Sequence, residues 1–77
     1  MTGKRSYDYG DYWIEVTVQE AGQRFEGAAM IYASRESARS GQGPVHRVTV
    51  QGETEHAADA AAAARAEAWV DGPGASR

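Results

Sequence analysis

The sequence has 77 residues, a formal net charge of −3 and no cysteine, which gives room for one small domain and excludes a disulfide scaffold, thiolate zinc ligation and a cysteine nucleophile. Of the 32 residues behind the 42% hydrophobic fraction, 15 are alanine and none is leucine, so only 17 larger apolar side chains are left to build a core. No run approaches the roughly 20 apolar residues of a membrane span, and Lys4 and Arg5 lead into Tyr7, Asp8, Tyr9 and Asp11 rather than the apolar run of a signal peptide. The expectation is a soluble, cytoplasmic α+β domain over residues 1–72, with a frayed tail at 73–77.

The first clear element is a strand at 12–18. Tyr12, Ile14, Val16 and Val18 alternate with Glu15 and Thr17, the period-two pattern of a half-buried strand. A turn at Glu20-Ala21-Gly22-Gln23 follows, where Gly22 can supply a positive φ. Phe25, Gly27, Ala29 and Ile31 then continue the spacing by twos to Ala33. Placing Glu20 opposite Gln23 sets Val18 against Phe25, Val16 against Gly27, Ile14 against Ala29 and Tyr12 against Ile31. One face is then wholly apolar, with large residues opposite small ones.

Residues 34–43 read as a polar connection with a short helical turn around Glu36–Arg39, stopped by Gly41, Gly43 and Pro44. A third strand follows at Val45–Gln51, with His46, Val48 and Val50 towards the core. Thr54 is the expected N-cap of a helix in which nine of the twelve residues from Ala57 to Ala68 are alanine. That helix ends at Asp71, before a left-handed Gly72 and Pro73. Helical spacing gathers Ala57, Ala61, Ala64 and Ala68 into a stripe expected to face the sheet, with Trp69 as a plug at one end. His56, Asp59, Ala63 and Glu67 fall on the opposite side. The fold expected is a three-stranded antiparallel meander with one C-terminal helix across one face (β-β-β-α).

Chemistry-bearing residues are sparse. His56 and Asp59, three apart on the helix, supply two metal ligands where a site needs more, so no metal or other cofactor is expected. His46 reads as a core or rim histidine. Ser34, Ser37 and Ser40 lie in a loop without a nucleophile-elbow pattern. Gly41-Gln42-Gly43-Pro44 lacks the Lys-Ser/Thr of a phosphate loop and leads into a strand. These features point to a protein that is not an enzyme.

The face opposite the helix is richer. The register that buries Ile14 and Val16 turns Trp13 outward, facing Met30, with Tyr32 diagonal to it and opposite Asp11. Arg47 and Thr49 of the third strand extend this surface, and Glu15, Arg24, Glu26 and Arg47 rim it. One helix covers one side of a sheet, so the patch Trp13, Met30, Tyr32, Arg47 and Thr49 is the expected contact surface for a protein partner or a second copy. The competing structural reading is a cross-strand cluster that stiffens the sheet. Charge runs −2 over residues 1–20, +2 over 21–52 and −3 over 53–77, so neither nucleic acid nor an anionic membrane is an expected partner. Stacking of single-stranded bases on the outer aromatics is opposed by Asp11, Glu15 and Glu26 beside them.

The order of elements, with Gly52-Glu53-Thr54 opening an alanine-rich helix that closes on Trp69-Val70-Asp71-Gly72, resembles a group of short bacterial β-β-β-α proteins to which no activity is attached. The Gly-x-Thr step from third strand to helix is also similar to the core of the HicB antitoxins, although Ala57 stands where that pattern favours glutamate. The second resemblance implies a protein that neutralises a toxin by direct contact.

Overall fold

The computed structural model describes residues 3–72, and the tail expected at 73–77 lies outside them. The elements run β1 (Gly3–Tyr9), β2 (Tyr12–Ala21), β3 (Arg24–Tyr32), α1 (Arg35–Arg39), β4 (His46–Gly52) and α2 (Glu55–Asp71). All four strands pair antiparallel with their sequence neighbours in the order β1-β2-β3-β4. The α+β class and the C-terminal helix agree with the sequence reading, but the sheet has four strands rather than three.

The additional strand is β1, a polar segment without a β-branched residue. Its odd positions Arg5, Tyr7 and Tyr9 pair with Val16, Ile14 and Tyr12, so they lie on the helix-covered face. The tyrosines therefore extend the sheet sideways and leave its outer face uncovered. Gly10, at φ 61°, opens the two-residue turn into β2.

The β2–β3 register differs from expectation by two residues. Ala21 faces Arg24, so the loop is Gly22-Gln23, and Val18, Val16 and Ile14 face Gly27, Ala29 and Ile31. The turn sets this choice. Gly22 has φ 68° while no residue other than glycine has a positive φ among those described. A two-residue hairpin with a positive φ at its first central position alone needs glycine there, and only a Gly22-Gln23 loop provides it. Because the shift is even, every side chain keeps its face.

Ile14, Val16, Val18, Ala29 and Ile31 form the sheet side of the core, and Ala58, Ala62, Ala63 and Ala66 the helix side. The expected stripe is corrected here: Ala57, Ala64 and Ala68 are exposed and Ala61 is half-buried, whereas Ala63, assigned to the solvent side, is buried. Alanine on every side gives α2 no apolar direction of its own. Two glycines help to seat it. A Cβ on Gly27 would lie 2.4 Å from the Ala58 carbonyl oxygen, and one on Gly52 2.6 Å from the Ala58 nitrogen, so the first turns of α2 rest directly on the sheet.

Thr54 caps α2 as expected, its Oγ1 accepting from the Ala57 amide at 3.0 Å. At the other end Gly72 is extended rather than left-handed, at φ −98° and ψ −169°, and its amide donates to the Trp69 carbonyl. Trp69 fills its end of the core as expected, stacked on His46 at 4.7 Å and edge-on to Tyr12 at 5.8 Å. The short turn expected near Glu36–Arg39 is α1, capped by Ser34.

Candidate functional site

The strand registers turn the helix-free face into a grid. At one end Asp8, Trp13 and Tyr32 stand side by side on β1, β2 and β3. The next row holds Ser6, Glu15, Met30 and Arg47, and the one after it Lys4, Thr17, Ala28 and Thr49. All five residues singled out from the sequence, Trp13, Met30, Tyr32, Arg47 and Thr49, share this face. Their adjacency is corrected: Trp13 faces Tyr32, and Met30 faces Glu15 on one side and Arg47 on the other. Asp11 lies in the β1–β2 turn rather than opposite Tyr32.

The aromatic end is organised by its own polar groups. The Trp13 indole Nε1 donates to Glu15 Oε2 at 3.1 Å, and the Tyr32 hydroxyl lies 3.7 Å from Met30 Sδ. Burial raises the pKa of the Tyr32 phenol, and the nearby Glu15 charge adds to that, so the hydroxyl remains a donor near neutrality. Sequence reasoning marks Arg35 only as part of a basic loop with Arg39 and does not connect it with this face. The guanidinium carbon sits 5.8 Å from the Trp13 ring centroid, a cation–π approach made possible because Ser34 Oγ caps α1 by accepting from the Ser37 amide at 3.1 Å. The outer face is therefore not wholly without cover. Trp13, Met30 and Tyr32 are half-buried, whereas Arg47 and Thr49 are exposed. Away from the aromatics the surface drops to Thr17, Ala28 and Thr49, and a hollow of about 270 Å³ opens beside Glu26, Thr49, Val50 and Gln51. Large rigid side chains at one end and a small-residue floor at the other make a surface with relief.

A second polar group lies on the opposite face, along the β1–α2 seam. Arg5 grips Asp59 with Nη2 at 2.7 Å and Nε at 3.0 Å from Oδ1. Tyr7 donates to Glu67 at 2.7 Å, and Tyr9 to Asp71 at 2.7 Å. These bonds correct the reading of Asp59 and Glu67 as a solvated helix face. They are acceptors for the donors of β1. Desolvation, then the bond to Glu67, pushes the Tyr7 pKa up to about 12, and the bond to Asp71 raises that of Tyr9. An open cleft of about 500 Å³ at the seam is lined by Arg5, Glu55, His56 and Asp59. Asp59 is already engaged there by a cation, and no group of three or more His, Asp or Glu side chains is arranged for a metal ion among the described residues.

The other polar residues have local structural work. His46 stacks on Trp69, Ser34 caps α1, and the Ser40 hydroxyl donates to the Ser37 carbonyl at 3.2 Å. No helix among the described residues is long and apolar enough to cross a membrane. No known protein family, curated protein or solved structure matches this chain.

Proposed function

We propose that this protein is a small non-catalytic interaction module whose outer sheet face takes a protein partner. The observation that carries the reading is the placement of Trp13 beside Tyr32, with Met30 in the next row, on the one sheet face that α2 does not cover. Aromatic side chains and arginine contribute most to contact energy per residue, the aromatics because they add rigid area at low entropic cost and arginine through its planar fork of donors. Here the aromatics are framed by Arg35, Arg47 and Glu15, a mixed-charge rim suited to a polypeptide. Asp8, Glu15 and Glu26 on the same face oppose a polyanion.

The test is affinity capture from the native cell, using the wild-type chain and a Trp13→Ala variant whose fold is verified by circular dichroism. A protein retained by the wild type and lost by the variant supports the reading. Equal retention by both removes the outer face, Arg35 included, from it. An antitoxin-like role is the second reading, favoured by the capped Gly52-Glu53-Thr54 passage from β4 into the alanine-rich helix. It requires the captured protein to be a toxin whose growth arrest is relieved by co-expression of this chain.

A further inference from the structure

A four-stranded sheet has two edges, and here they are unequal. Edge strand β1 carries Lys4, Arg5 and Asp8 within seven residues, and its Arg5, Tyr7 and Tyr9 are tied to α2. Edge strand β4 reads His-Arg-Val-Thr-Val-Gln-Gly, with one formal charge, no proline, and an unbroken ladder to β3 from Phe25–Gly52 to Ile31–His46. Natural sheets blunt free edges with charged side chains, proline, bulges or a covering element; within its span β4 holds the single charge Arg47, no proline and no break in its ladder. Its Val48 and Val50 are half-buried on the helix face, whereas Val16 and Val18, further into the sheet, are buried. Val45, at the entry to β4, is 50% exposed and is the one large apolar side chain so exposed among the described residues.

We propose that β4 pairs antiparallel with β4 of a second copy, joining the two sheets into one continuous sheet about a two-fold axis at Thr49. The strand is self-complementary about its own midpoint. A two-fold at Thr49 pairs all seven residues, setting Val48 against the partner's Val50, Arg47 against the partner's Gln51, and Thr49 against the partner's Thr49. Valines then adjoin valines on the helix face, threonines meet on the outer face, and no like charges oppose. Charge favours the same register. Within one chain Gln51 faces Glu26 across the β3–β4 ladder. Arg47 is therefore in line with the partner's Glu26 two strand spacings away, about 10 Å between backbones and within the combined reach of the two side chains. Neither residue makes an ion pair among the described residues. Complementary charges of this kind fix register and partner more than they add affinity.

This inference rests on the β4 edge; it shares Arg47 and Thr49 with the outer face but does not use Trp13, Met30 or Tyr32. Sedimentation equilibrium over roughly 1 µM to 1 mM tests it with Thr49→Lys and Thr49→Glu, substitutions at an exposed position that spare the core. The wild type should associate reversibly to a dimer. Each variant alone should stay monomeric, because like charges meet on the axis, with the wild-type unfolding midpoint at concentrations where the wild type is itself monomeric, and an equimolar mixture of the two should recover the dimer. Trp13→Ala should dimerise like the wild type. A monomeric wild type at 1 mM, including one whose β4 edge takes an unrelated extended peptide instead, overturns the proposal. So does dimerisation by both single variants, a mixture that stays monomeric, or loss of the dimer in Trp13→Ala.

Discussion

Tyr7 shows how one side chain can join the chain's beginning to its end. The phenol donates to Glu67 at 2.7 Å, sixty residues away, beside an Arg5 guanidinium that lies 5.2 Å from the ring centroid and grips Asp59. Tyr7→Phe removes this hydrogen bond and should lower the unfolding free energy by about 1 kcal/mol in urea titration at neutral pH. Desolvation of the phenol, together with its bond to Glu67, predicts an alkaline transition. The folded state holds the phenol proton up to about 12, against 10.0 for a free tyrosine, so the contribution is complete below pH 10 and is lost as pH climbs towards 12. Tyr9 and Tyr32 are also shifted upward, so the quantity to follow is the difference between wild type and Tyr7→Phe. That difference should be flat below pH 10 and should shrink above it. A gap that persists to pH 12 would mean that folding does not raise the phenol pKa. At the same scale, Gly27→Ala drives a Cβ to 2.4 Å from a backbone oxygen that cannot rotate away. It should cost roughly 1–3 kcal/mol as α2 lifts, while Gly43→Ala, with no neighbouring atom within 4 Å, should stay within about 0.5 kcal/mol of wild type.

At the scale of the element, α2 is the informative case. Its caps were readable because Thr54 and Gly72 interrupt a run of strong helix formers. Its orientation was not, because rotating a mostly alanine helix changes little apolar area. The signal that resolves it lies elsewhere: the glycines of β3 and β4 that leave space for Ala58, and the donors of β1 that collect Asp59, Glu67 and Asp71 along one side. Ala62 is fully buried and Ala64 exposed. Ala62→Leu should therefore overpack the interface and cost roughly 1–3 kcal/mol, while Ala64→Leu should be silent to within about 0.5 kcal/mol. Matching denaturation midpoints for the two variants would place the helix on a different face. Strand β1 was obscured for a related reason. Its helix-facing side is made of an exposed Arg5 and half-buried Tyr7 and Tyr9, which cover the sheet edge with long stems and polar tips and lack the β-branched composition that marks β2. Its readable traces are the Arg5-Ser6-Tyr7-Asp8-Tyr9 alternation and Gly10 ahead of the next strand.

Across the whole molecule, one helix and a four-stranded meander leave two faces with different tasks. The covered face holds the core and the β1–α2 seam. The outer face holds aromatics that the core does not use, and its five residues were legible as a set because a two-residue error in register preserves the side to which each one points. Their neighbours were less legible. Arg35 reaches Trp13 only through the fold of the β3–β4 connection, which no strand periodicity encodes. The central claim is that Trp13 and Tyr32 serve contact rather than stability, and urea unfolding of the Trp13→Ala/Tyr32→Ala double variant tests it most directly. The account predicts a loss of no more than about 2 kcal/mol, as suits two half-buried side chains outside the core. A larger loss, reaching the roughly 3–5 kcal/mol of a core aromatic truncated to alanine, would contradict it and make the outer face part of the scaffold.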